Sequence, residues 1–231
     1  MDSNTAENTG PLIDVALSRM KTAIIRGELA PDTRLKVESL SKAYGLSSSP
    51  IREALNRLAQ DGIVRATENR GFWVAPISVD DFRDISRLRV LLEREALVDS
   101  IEHGDEEWEV SVLTAFHRLS LMEKKLDAGP VALDDNWSDR HRAFHMALLS
   151  ATPSPLLTGM IASLFDRAER YRRYSAMHRL EPRHKNNEHE ALMKAAIGRE
   201  KEKAANLLQK HIEGTLGRIV GALERQAATV Q

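Results

Sequence analysis

The sequence predicts a mostly α-helical chain: an N-terminal winged helix-turn-helix, α with a small β-hairpin wing, followed by a C-terminal all-α antiparallel helix bundle. Three observations predict it. Two short segments of helical periodicity flank a turn at Gly45; two alternating stretches enclose Glu68-Asn69-Arg70-Gly71; and from Asp81 onward helical spacing is nearly continuous, with no convincing strand. The expected divisions are a disordered tail over 1–10, a winged unit over 11–76, a linker over 77–79 and an all-helical unit over 80–228.

Pro11 opens the first helix, whose apolar side (Leu12, Val15, Ala16, Met20, Ala23, Ile24) runs until Gly27. Leu29 and Leu35 then flank a Pro31-Asp32 turn. Val37, Leu40 and Tyr44 give the second helix its apolar stripe, and Gly45 closes it. In the third, Ser47, Ser48 and Ser49 offer hydroxyls for capping, Pro50 follows where a missing N–H is tolerated, and Ile51, Leu55 and Leu58 fall at helical spacing. Its other face projects Arg52, Asn56 and Arg57 beside the serines, groups suited to phosphates and to base edges in a DNA major groove. A solvated helix face is the plainer reading of that window alone. Asp61-Gly62 ends the helix, and 63–66 and 72–75 alternate as the strands of a hairpin. At its tip Arg70 stands beside Gly71, which lets backbone approach a phosphate or minor groove closely.

These blocks occur in order: Gly27-Glu28-Leu29-Ala30-Pro31-Asp32-Thr33-Arg34-Leu35, Ser49-Pro50-Ile51-Arg52-Glu53-Ala54-Leu55, Asp61-Gly62-Ile63-Val64 and Asn69-Arg70-Gly71. Together they resemble the winged helix of the GntR-type bacterial transcription regulators. The resemblance implies a double-stranded DNA operator as partner, contacted through Ser47, Ser48, Ser49, Arg52, Arg70 and Gly71. Many members carry arginine where this chain has Ser48, so the resemblance implies DNA binding without specifying the operator sequence.

Bulk properties bound the remaining classes. The 231 residues accommodate two ordinary domains, each with its own core. Cysteine is absent, no apolar run approaches ~20 residues and the N-terminus is polar, so a soluble cytoplasmic protein without disulfide, secretion signal or membrane span is expected. Formal net charge is −1, but Pro11 to Pro76 holds ten Lys+Arg against seven Asp+Glu, placing a small cationic surplus on the winged unit.

Ser78-Val79-Asp80-Asp81 is a capping signature that starts the bundle. Helices are expected over 80–103, 106–128, 134–151, 155–180, 186–198 and 201–226, with breaks at His103-Gly104-Asp105, Gly129-Pro130, Pro153-Ser154-Pro155, Glu181-Pro182 and Gly198. Four of the eight histidines form a pattern. His141 and His145 are one turn apart on one helix face, the spacing by which a helix grips a metal twice. His189 and His211 lie on consecutive helices either side of Gly198, at roughly matching heights. Hydrogen-bonded core histidines and a metal site are both open on this spacing. His103, His117, His178 and His184 sit near helix ends or in polar stretches and are assigned ordinary surface roles.

Arg89-Val90-Leu91-Leu92-Glu93, a central Phe144-His145 followed by Ala147-Leu148, Glu188-His189 with Leu192, and His211-Ile212 resemble the FCD effector domain of the FadR-like GntR subgroup. That resemblance implies a divalent metal held by His145, His189 and His211, with His141 where the family usually has aspartate; an imidazole there shifts preference toward zinc, then nickel, over harder ions. It implies further that the metal holds a small carboxylate, a dicarboxylate or hydroxy acid, in a pocket within the bundle. Arg89, then Arg172 and Arg173 beside Tyr171, are the effector-binding candidates, because a guanidinium fork suits a carboxylate. For that Arg-Tyr cluster a surface or dimer-facing helix is the alternative.

The functional expectation is a homodimeric, ligand-released regulator, repressor rather than activator, with no catalytic residue. A metal-dependent enzyme is the competing class, and it lacks a H-E-x-x-H helix, a G-x-S-x-G elbow and a phosphate-cradling loop. A metal that only staples helices is the third reading.

Overall fold

In the computed structural model the backbone is described for residues 9–67, 70–125, 134–177 and 187–229. The expected breaks at Gly129-Pro130 and Glu181-Pro182, most of the tail, and Glu68-Asn69 of the wing lie outside them. The chain divides into two compact units, one ending at Ile77 and the other beginning at Ser78.

The first unit contains α1 (Thr9–Ile25), β1 (Arg34–Leu35), α2 (Val37–Tyr44), α3 (Ser48–Gln60), β2 (Val64–Thr67) and β3 (Gly71–Val74). Its core is the apolar stripes brought together: Met20 and Ile24 of α1, Leu40 of α2, Ile51, Leu55 and Leu58 of α3, with Val64 and Val74 of the sheet, all buried. Each fully buried aliphatic side chain of this kind contributes about 1.5–3 kcal/mol. Between α2 and α3 the chain turns at Gly45, φ +66°, whose N–H returns to the Ser41 carbonyl. Only glycine adopts that left-handed conformation without a Cβ penalty.

Two local expectations are corrected. Ser47 occupies the N-cap of α3 but its hydroxyl makes no capping bond, and Ser48, Ser49 and Pro50 form the first turn. Pro50 is still tolerated because first-turn N–H groups have no partner within the helix. The hairpin strands sit one residue from their expected limits, since Ile63 is held in the turn by its N–H to Leu58 O (3.0 Å). A third strand, β1, was not expected. It pairs antiparallel with β3, Arg34 opposite Trp73 and Leu35 opposite Phe72, giving the order β1-β3-β2. Two residues are too few to display a period of two.

The second unit holds α4 (Val79–His103), α5 (Glu106–Lys125), α6 (Asp135–Leu148), α7 (Pro155–Met177), α8 (Glu188–Ile197) and α9 (Lys201–Thr229). α4 packs on α7 and α9, α5 on α6 and α8, and α8 on α9. Leu97, Val112, Leu119, Trp137, Phe144, Ile161, Leu192 and Leu208 form the shared core. Ser78 caps α4 by accepting from Asp81 N (3.3 Å), and Asp134 caps α6 by accepting from Trp137 N (2.7 Å).

The α8–α9 corner departs from expectation. Gly198 has an ordinary φ of −70°, and the left-handed residue is Arg199, φ 57°. Its side chain explains why a non-glycine is held there: it donates to Ile101 O (2.7 Å), pairs with Glu109 and lies 5.1 Å over Trp108. Among the described residues no helix is long and apolar enough to cross a membrane.

Candidate functional site

Two groups of side chains stand out, one in each unit. In the first, the burial of Pro50, Ile51, Ala54, Leu55 and Leu58 turns the opposite face of α3 outward. Ser47, Ser48, Ser49, Arg52, Asn56 and Arg57 are all exposed on it. Arg52 has no protein partner among the described residues, whereas Arg57 is tied to Asp14 (3.3 Å) and Glu53 (3.5 Å). In the wing, Arg70 and Gly71 are exposed; Gly71 has φ +98° and nothing within 4 Å of where a Cβ would stand. Arg34, not singled out in the sequence, donates to Arg70 O (3.2 Å) and lies 5.5 Å over Trp73, so it braces the wing tip from β1. Its signal was its place in the Thr33-Arg34-Leu35 block, which pattern alone read as a turn flank.

In the second unit α6, α8 and α9 bring His141, His145, His189 and His211 to one point. One ring nitrogen from each lies within 4.8 Å of the others, and all four residues are buried. The rings contact one another, His141 to His145 at 4.6 Å, His189 to His211 at 4.9 Å and His145 to His211 at 5.2 Å between centroids. Trp137 stacks on His141 at 4.5 Å, and Phe165 covers both His141 and His145. Burial, then the neighbouring imidazoles and the Arg172 and Arg89 guanidiniums, hold His141 and His145 well below the usual histidine range, so both are neutral at pH 7.

The outward nitrogens of the other two are engaged: His189 Nδ1 meets Glu123 (3.1 Å) and His211 Nδ1 meets Glu188 (2.8 Å). A carboxylate only accepts, so each Nδ1 carries a proton, and in the neutral ring Nε2 presents a lone pair. His141 Nδ1, both nitrogens of His145 and His189 Nε2 are buried without a hydrogen-bond partner. Buried polar atoms are rarely left so, and lone pairs converging on one point suit a shared partner such as a cation. Neutral imidazoles are the ligand set of zinc and nickel, with Zn–N about 2.0–2.1 Å. The residues therefore fit a divalent transition metal.

The arginines divide. Arg89 is buried and pairs with Glu93 (2.5 Å), its guanidinium 4.9 Å from the Phe165 ring that covers the histidines. Arg172 lies 4.5 Å over Trp137, pairs with Glu169, reaches Ser138 (3.3 Å) and keeps a buried Nη1 without a partner. Arg173 is committed to Glu169 (3.1 Å), Asp135 (2.6 Å) and Ser138 (3.0 Å). Tyr171 turns to α4 instead of the histidines: it stacks on Phe82, donates to Asp81 (2.6 Å) and accepts from Ser78 N (3.2 Å). All four side chains are buried, which removes the surface-helix alternative for the cluster. His103 and His117 are exposed, and His178 and His184 lie outside the described residues.

Residues 13–74 match the model of the bacterial regulatory proteins of the gntR family, and residues 84–214 match the FCD domain. The chain belongs to the GntR family. This FCD-bearing member is 39% identical over 209 residues to the HTH-type transcriptional regulator BphR of Paraburkholderia xenovorans, covering 90% of this chain and 85% of that one. It is 34% identical over 199 residues to the HTH-type transcriptional repressor GlaR of Escherichia coli, covering 84% and 89%. Its fold is shared with Escherichia coli McbR/YncC, at TM-score 0.76 and 22% identity over 90% of this chain and 96% of that one. This GntR chain is thus a DNA-binding transcriptional regulator with an effector domain, and its curated relatives are named as regulators.

Proposed function

We propose that this GntR regulator is a homodimeric repressor that binds a palindromic operator and is released when a small carboxylate enters a metal-containing pocket of the FCD unit. The carrying observation is the buried set of four imidazoles, with partnerless nitrogens facing inward and all ligand atoms within 4.8 Å. His141, His145, His189 and His211 hold the ion, zinc in preference to nickel. The ion supplies a positive centre that binds the carboxylate of the effector, a dicarboxylate or hydroxy acid.

The chain's own residues supply the rest. Arg172, with its buried unpartnered Nη1, and Arg89 are the cations available to a second acidic or hydroxyl group of the effector. Trp137 and Phe165 exclude water from that side. On the DNA side, Arg52, Asn56 and the serines of α3 enter the major groove, while Arg70 and Gly71 approach the backbone or minor groove. One short helix and a wing read few base pairs, so two-fold repetition is needed for useful specificity. Repression is favoured by the name of the GlaR relative.

The test compares chelated and zinc-loaded protein in a thermal-shift screen of small carboxylates, followed by binding to DNA from upstream of its own coding sequence. A carboxylate that raises the melting temperature of the zinc-loaded protein alone and lowers DNA affinity is the expected result. His145→Ala should lose that response and keep DNA binding. Zinc-dependent stabilisation with no response to any carboxylate would favour the staple reading instead.

A further inference from the structure

Resting on the metal reading above, we propose that Glu123 and Glu188 are positioning residues of the metal centre, outer carboxylates that fix which histidine nitrogen ligates and supply the negative charge that the ligand set lacks. Four neutral imidazoles bring no charge to a divalent ion. A doubly charged centre surrounded by buried, apolar rings is costly unless anions stand close by.

The acidic residues within the unit are not equally available. Glu93 is taken by Arg89, and Glu169 by both Arg172 and Arg173. Glu123 has no partner other than His189 among the described residues, and Glu188 bonds His211 at 2.8 Å. Each carboxylate is thus one imidazole away from the point where the four rings converge. Accepting the Nδ1–H makes the ring a stronger electron donor at Nε2, and removal of such an outer partner typically costs 10–100-fold in metal affinity.

The placement is not a by-product of one helix's periodicity. Glu123 reaches from α5, which contributes no histidine to the cluster, across to α8, and Glu188 reaches from α8 to α9. His189 therefore has a partner ahead of it and its sequence neighbour Glu188 serves the other ring. Both glutamates are partly exposed, 27% and 32%, so their replacement opens no buried cavity.

The experiment measures Zn(II) affinity of the full-length protein by competition with a chromophoric chelator, and the visible spectrum of the Co(II) form. Glu123→Gln and Glu188→Gln keep size and remove charge; Glu190→Gln, on α8 but paired with Lys194, is the control. Each of the first two should bind Zn(II) 10–100-fold more weakly and shift the Co(II) bands, with far-ultraviolet circular dichroism unchanged, while the control matches wild type. Zn(II) affinities within twofold of wild type for Glu123→Gln and Glu188→Gln, or an equal loss in Glu190→Gln, would overturn the assignment. Failure of the wild-type chain to bind either ion would instead overturn the metal reading beneath it.

Discussion

Acidifying the metal-free protein should destabilise the FCD unit through His141 and His145. Both are neutral and buried when folded, with pKa values held well below 6.5, the value of an exposed histidine. The unfolded chain therefore binds protons first as pH falls, and the stability these groups contribute is present above about pH 6.5 and lost below it. Each unmatched proton costs about 1.4 kcal/mol per pH unit. Two such imidazoles together set a limiting slope of about 2.7 kcal/mol per pH unit below the ordinary histidine pKa. Over one pH unit that is a large share of the roughly 5–15 kcal/mol by which domains are stable. Urea unfolding in chelator, followed by Trp108 and Trp137 fluorescence in a Trp73→Phe background, measures it. The variant carrying His141→Phe and His145→Leu removes both titrations and should show a pH dependence smaller by about this amount. Identical pH profiles for the two proteins would refute the reasoning, because the carboxylates common to both would then account for the whole effect.

Three further outcomes follow from single contacts. Arg52→Ala should weaken operator binding by about 1–3 kcal/mol in anisotropy titrations at fixed salt, and Arg57→Ala by less, since Arg57 is already tied to Asp14 and Glu53. Equal losses would mean that the protein's own ion pairs do not govern which arginine is available to DNA. Tyr171→Phe keeps the stack on Phe82 but strands the Ser78 N–H and removes a donor from Asp81, so the FCD unit should lose about 1–3 kcal/mol in urea melts. Gly45→Ala should destabilise the winged unit by about 1–2 kcal/mol, a purely conformational cost because nothing lies within 4 Å of the added methyl; an unchanged melting curve would contradict it.

The apolar stripes of α1 to α3, the glycine at the left-handed turn and the alternation in the hairpin are local signals, each contained within a few residues. Their physical causes, a 3.6-residue or two-residue period and a positive φ, are readable without knowing the rest of the chain. The fold class and family were legible for that reason. So was the pairing of His141 with His145, which one turn of helix enforces. β1 was missed because its existence depends on β3 rather than on its own two residues, and Arg199 was missed because its left-handed backbone is held by Ile101, Glu109 and Trp108 from elsewhere.

Residue order sets the elements and the faces they bury. Which polar groups those faces bring together depends on how the elements pack. Sequence placed Tyr171 beside Arg172, but successive helical residues point about 100° apart, so one reaches Ser78 and Asp81 while the other covers Trp137. Glu123 is 66 positions from His189, and no local period registers a bond across such a distance. The convergence of four imidazoles, with two carboxylates behind them, is a product of how α5, α6, α8 and α9 pack, and packing is a property of the whole unit.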